Sequence, residues 1–195
     1  QKWRESHQPF HWYSEFYEII ADRGGFDVVI GNPPYVATGT VPYAFPGKEL
    51  LPDLYGHVML RVLLLACESS RYGIIVPVSV TFSGDFKALR SALTLNHCTW
   101  FSSYDRIPGA LFDGVRQRCT ICIGVNQSPS EIFVSPMFRW RTESREHLFS
   151  TVTYAHISTT KLPDIGIPKV AAGLGQLFAR LIDNYQSRPL CLFGK

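Results

Sequence analysis

The chain has 195 residues, of which 46% are hydrophobic and 18% charged, with a formal net charge of +3; these are the proportions of a globular protein long enough for one domain with a real core, or for one domain and part of another. No apolar run reaches the length of a membrane span, since Arg61 interrupts Leu60 to Cys67. The polar start Gln1-Lys2-Trp3-Arg4-Glu5 leads to no signal-peptide core, so a cytoplasmic protein without membrane contact is expected.

In chain order, residues 1 to 24 are aromatic and amphipathic, with Phe10, Trp12, Phe16, Tyr17, Ile19 and Ile20 among polar residues, as in an edge strand or a short helix packed on the core. Gly25-Phe26-Asp27-Val28-Val29-Ile30-Gly31 reads as a buried strand, its short apolar run suited to a parallel sheet covered on both faces. The strand runs into Asn32-Pro33-Pro34-Tyr35. Pro33 drives Asn32 out of the α region, and two fixed φ angles precede the aromatic ring, so the turn holds one carboxamide and one ring still. In parallel sheets, ligands bind beyond the carboxyl ends of strands. Acceptor oxygens beside a flat ring suit a planar group with an amino substituent.

Residues 36 to 52 hold too many breakers for a regular element and read as a long loop, either functional or simply solvated. A helix is expected from Asp53, its cap, to Ser70. Ile74-Ile75-Val76 should be a strand ending in Pro77-Val78-Ser79, and Ser83-Gly84-Asp85 should open a helix to Leu95 with Phe86, Leu89, Leu93 and Leu95 inward. Strands are expected at 98 to 103 and at 119 to 125, with the loop Ile107 to Val115 between them. Residues 127 to 130 look like a linker. The mixed basic and aromatic segment Phe138 to Phe149 suits either a nucleic-acid surface or a solvated amphipathic helix. A last helix over 169 to 185 would put Val170, Leu174, Leu177, Phe178 and Leu181 on one side. The basic excess falls after residue 125. The five cysteines show no framework spacing and read as thiols, and Cys119 and Cys122, on opposite faces of a strand, make a poor metal clip; no metal is expected.

The strand followed by Asn32-Pro33-Pro34-Tyr35 resembles the corresponding motif of gamma-class, S-adenosylmethionine-dependent N6-adenine DNA methyltransferases, as found in type IIG restriction-modification enzymes and related phage-defence methylases. Phe10 to Ile19, Asp53-Leu54-Tyr55, Gly73 to Ser79 and the Phe112 block are similar to further segments of that family. The resemblance implies an α/β fold, the C-terminal part of a Rossmann-like methyltransferase sheet with flanking helices, plus the start of a following helical or target-recognition region. It implies a partial catalytic domain at residues 1–126, and at 127–195 a linker and basic segment leading toward target recognition. Asn32, Pro33, Pro34 and Tyr35 would be catalytic, and Tyr35 and Phe112 would hold the flipped base. Asn32, Pro34, Asp53 and Tyr55 would face the cofactor, S-adenosyl-L-methionine. Where the family commonly places an aromatic ring over the cofactor's adenine, this chain has Val58.

The implied chemistry is methyl transfer to a weak nucleophile. Acceptors at the two amino hydrogens, the Asn32 side-chain oxygen and the Pro33 carbonyl, favour a nitrogen with a directed lone pair, which is stabilisation of the transition state by preorganised dipoles. In duplex DNA the base must leave the stack first. The family's glycine-containing cofactor loop does not occur in residues 1 to 24. The expected partners are therefore double-stranded DNA and an N-terminal methyltransferase half or fused domain, with residues 1–195 alone inactive. The same acceptors also suit a protein glutamine or an RNA base, and a non-catalytic nucleic-acid-binding module would keep the same fold.

Overall fold

The computed structural model describes residues 11–42, 44–107, 109–112, 116–127, 129–139, 146–158 and 162–186. They form a six-stranded mixed sheet in the order β1-β2-β4-β3-β5-β6. The strands are β1 (Phe26–Gly31), β2 (Ala66–Pro77), β3 (His97–Tyr104), β4 (Cys119–Asn126), β5 (Glu131–Phe138) and β6 (Ala155–Ile157). β1 runs parallel to β2 and β3 parallel to β5, while β4 is antiparallel to both β2 and β3. The carboxyl ends of β1, β2, β3 and β5 therefore share one end of the sheet with the start of β4. This is the α/β sheet that the sequence implied.

Three helices matter most: α1 (Leu54–Leu65), α2 (Lys87–Thr94) and α3 (Gly175–Gln186). Tyr55, Met59 and Val62 of α1 and Leu89 and Leu93 of α2 join Tyr72, Ile74 and Val76 of β2 in one core. That core continues through Ile132 and Val134 of β5 and Ile157 of β6 to Ala179 and Ile182 of α3. Sheet and core thus run unbroken across residue 126. Among the described residues, no helix is long and apolar enough to cross a membrane.

Several local expectations need correction. Among the described residues β1 lies at the edge of the sheet and is covered on one face rather than both: Val28 is 58% and Ile30 79% exposed, and Val29 packs against the core. An apolar run signals a strand but carries no information about its place in the sheet. α1 ends at Leu65 instead of Ser70, because residues 66 to 70 open β2 and Ala66 pairs with Phe26. Leu95 faces solvent. The last helix starts at Gly175, not at 169, and turns Leu177 and Leu181 outward, with Leu174 exposed just ahead of it. Its phase is set where the Gly175 backbone lies against the His156 carbonyl, with no room for a Cβ.

Short helical turns at Trp12–Glu15 and Glu18–Asp22 lead into β1, and the Phe16 ring meets Phe26 edge-on at 5.2 Å. The connection after β4 is tight: Gln127 N–H donates to the Asn96 carbonyl, and Asn96 N–H donates to Ser130 Oγ. Phe138 ends β5, while residues 140 to 145 of the basic aromatic segment lie outside the described residues.

Candidate active site

The Asn32-Pro33-Pro34-Tyr35 turn leaves the carboxyl end of β1, with Asn32 and Pro34 exposed, Pro33 buried and Tyr35 half-buried. The Tyr35 hydroxyl donates to the Ile75 carbonyl of β2 at 3.1 Å. Its ring meets that of Tyr55 edge-on, with centroids 6.1 Å apart. Burial, then the neighbouring Cys119 thiol, pushes the Tyr35 pKa far up, so the phenol stays a donor. The ring is fixed at both ends while the carboxamide ahead of it faces solvent.

The loop after Tyr35 is closed at its base. Ala37 and Asp53 form an antiparallel bridge, Thr38 N–H donates to the Pro52 carbonyl, and Leu54 N–H donates to the Val36 carbonyl. This closure brings Asp53 and Tyr55 to the turn. Asp53 occupies the N-cap position of α1 without a side-chain capping bond, so the expected cap is positional only. Tyr55 lies in the core at 2% exposure, between Tyr35 and Phe86. Its hydroxyl is 2.8 Å from Ser79 Oγ, and burial pushes its pKa up to about 12. Tyr55 therefore supports Tyr35 and offers no open face to a ligand. Val58 is half-buried against the core.

Phe112 sits on the β3–β4 connection at the same end of the sheet and is 38% exposed. The residues after it, 113 to 115, lie outside the described residues. The structure thus joins Tyr35, Asp53 and Tyr55 in one unit and places Phe112 at the same sheet end.

Sequence reasoning missed a group of cations at this end. Pro77, the last residue of β2, pairs with Cys119, the first of β4, and Val78 N–H donates to the Arg118 carbonyl. Arg116 and Arg118 therefore enter β4 beside the turn that follows β2. Asp105, just after β3, binds both Arg118 Nε at 2.7 Å and Arg139 Nε at 3.2 Å, and accepts Arg106 N–H at 2.9 Å. The Arg118 bond first, then the Arg106 amide, holds the Asp105 carboxyl below its usual range. An Arg-x-Arg before a strand would have been informative only with the antiparallel direction of β4 known.

The turn carrying Ser79 and Phe82 is braced from below. Buried Arg90 donates through Nη1 to the Val80 and Ser83 carbonyls at 3.0 and 2.6 Å. Ile167 N–H donates to the Thr81 carbonyl at 2.6 Å. Gly166, at φ +98°, presses its backbone on Thr81, a place and a conformation closed to side chains. The following Lys169 then reaches Thr81 Oγ1 with its Nζ and lies 5.6 Å from the Phe82 ring centroid.

For S-adenosylmethionine the residues fit in part. Asn32 and Pro34 are exposed and Asp53 is half-buried, whereas Tyr55 is buried behind Tyr35. Among the described residues, no cluster of His, Cys, Asp and Glu is arranged to hold a metal ion.

A mixed α/β sheet carrying this turn at the carboxyl end of β1 is the arrangement expected of a methyltransferase-type domain. The sequence agrees: the family model described as Eco57I restriction-modification methylase matches residues 1–105, more than half of the chain, and the chain belongs to that family. A search of the curated proteins found no match. Similar solved structures include the DrdV–DNA complex, at 17% identity and a TM-score of 0.52, covering 70% of this chain and 18% of that one. Another is a nuclease-deletion mutant of the type ISP restriction-modification enzyme LlaGI in complex with a DNA substrate mimic, at 14% identity and a TM-score of 0.61, covering 83% and 20%. The chain spans about a fifth of the length of these two.

Proposed function

We propose that the protein carries the base-binding part of an adenine-N6 DNA methyltransferase, working within a restriction-modification system. The observation that carries this reading is the Asn32 carboxamide, exposed at the carboxyl end of β1 beside a ring fixed by the Ile75 carbonyl and Tyr55. Membership of a restriction-modification methylase family supports methyl transfer, and the DNA complexes among the structural relatives support DNA as the partner.

In this reading Asn32 Oδ1 and the Pro33 carbonyl accept the two amino hydrogens of a flipped adenine, while Tyr35 and Phe112 flank its ring. Each aromatic contact offsets the lost stacking by about 1 to 3 kcal/mol. S-adenosylmethionine supplies the electrophilic methyl group when bound. Pro34 and Asp53 border its place, and the chain's own contribution is to hold acceptors and rings in line. Residues 1–126 carry the catalytic function, and 127–195 lead toward target recognition while sharing the same core. The upstream half that would bring the cofactor's main cradle joins beside β1, whose Val28 and Ile30 are exposed on one face; residues 1–195 alone are inactive.

The test is Asn32→Ala in the intact enzyme. N6-methyladenine formation on duplex DNA, followed by mass spectrometry of digested product, should vanish while DNA affinity stays within about twofold, since one exposed carboxamide contributes little to backbone-driven binding. Undiminished methylation by this variant would refute the reading.

A further inference from the structure

We propose that the groove between the β2–α2 turn and the ends of β3, β4 and β5 is a phosphate clamp that holds the DNA backbone beside the base-binding turn. This rests on the DNA-methyltransferase reading and adds to it residues with no role in methyl transfer.

Two adjoining hollows make the groove, of about 270 Å³ and about 520 Å³, and they share Val78, Phe82 and Arg118. Arg106 and Arg116 also line the first, and Arg139 and Lys169 the second. Five cations and one carboxylate, Asp105, thus line the groove. Both ion pairs to Asp105 are made through Nε, so the Nη ends of Arg118 and Arg139 keep donors for a second anion. A guanidinium pre-oriented by a carboxylate behind it loses less freedom when it meets a phosphate in front.

Position argues for backbone rather than base. Four of the cations flank three neighbouring strands, β3, β4 and β5, at the sheet end that carries Asn32, and Lys169 reaches the groove from the segment ahead of α3, as a polyanion running past the turn requires. Arg106, Arg116 and Arg139 are exposed, and Arg118 and Arg139 remain 49% and 84% exposed despite their ion pairs. The Phe82 ring, 61% exposed on the shared wall, adds an apolar face for a sugar or base. Partly buried Lys169 has its charge disfavoured, first by burial and then by Arg90, and a bound phosphate would relieve both effects.

The experiment measures binding of the full chain to a fluorescent duplex over a series of NaCl concentrations. Removing one phosphate-neutralising cation should flatten the slope of log K against log salt by about 0.9. Arg106→Gln with Arg116→Gln should therefore flatten the slope by about 2 and weaken binding roughly tenfold, equally on unrelated duplex sequences. The charge-matched pair Arg180→Gln with Arg23→Gln, outside the groove lining, should leave the slope unchanged. Both Arg106 and Arg116 are surface residues, and an unaltered melting curve shows that the variant is folded. A wild-type slope in the Arg106/Arg116 variant, with methylation retained when the intact enzyme carries the same two changes, overturns the clamp alone. A full chain that binds no duplex DNA at any salt overturns both the clamp and the DNA reading.

Discussion

Gly124→Ala tests whether the β2–β4 register holds the site together. Tyr72 and Gly124 face each other across these strands, and a Cβ on Gly124 would fall under 3.0 Å from Tyr72 Cζ, Oη and Cε1. The ring has nowhere to go, being 2% exposed and tied through its hydroxyl to the Leu93 carbonyl at 3.3 Å. Relief requires moving the ring or sliding the strand. Overpacking of this kind costs about 1 to 3 kcal/mol, and loss of the buried hydrogen bond adds about 1 kcal/mol. For a chain of this size, that lowers the melting temperature by about 5 to 15 °C. Gly73→Ala is the control, since its Cβ would sit 3.7 Å from Ile30 Cγ2 in ordinary contact. Thermal denaturation by circular dichroism reads both. The double variant Tyr72→Leu/Gly124→Ala should show a smaller loss than the two single changes summed. The same register aligns Pro77 with Cys119 and keeps the Ile75 carbonyl beneath Tyr35, so methylation in the intact enzyme should fall with stability. A Gly124→Ala melting shift below about 1 °C would refute the packing argument.

Other consequences follow from the same geometry. Tyr35→Phe removes the bond to Ile75 and should cost about 1 kcal/mol in melting stability while keeping most methylation; Tyr35→Ala should lose the activity, and equal losses in the two variants would show that the hydroxyl, not the ring, matters. Lys169, its pKa pushed down to about 8 by burial and then by Arg90, shares its surroundings with Asp105, Arg118 and Arg139. Its protonated form attracts phosphate, so DNA affinity should fall as pH rises through about 8, by up to tenfold per pH unit beyond it, and Lys169→Arg should abolish that dependence in binding titrations. Stability should move the other way. The unfolded chain keeps this proton to higher pH, so from about pH 8 to 10.5 the wild type should gain stability relative to Lys169→Met.

What the sequence disclosed depended on how local the cause was. The turn at Asn32 to Tyr35 is dictated by two prolines and a preceding apolar run, and the structure has the expected strand there. Phe86, Leu89 and Leu93 point inward as their spacing predicts. Features decided by distant partners were hidden. Ala66 belongs to β2 because Phe26 pairs with it, and α3 starts where Gly175 lies against His156, with Leu177 and Leu181 out and Ala179 and Ile182 in. Tyr55 looked like a ligand contact by its place after Asp53, yet the closure of the loop at Ala37 and Asp53 carries it into the core. Arg106, Arg116, Arg118, Arg139 and Lys169 are scattered over more than sixty positions, and only the strand directions gather them.

The open side of β1 also bears on how the protein behaves as a material. Among the described residues β1 pairs with β2 alone, with Val28 and Ile30 exposed on one face and Asp27 as the strand's single charge; a strand at a sheet edge favours strand addition. Wherever that edge is left bare, concentration favours pairing of one copy with the next through the strand that carries Asn32. Self-association and occlusion of the Asn32 turn would then be one event, and a lysine at position 28 or 30 would act as a gatekeeper against both.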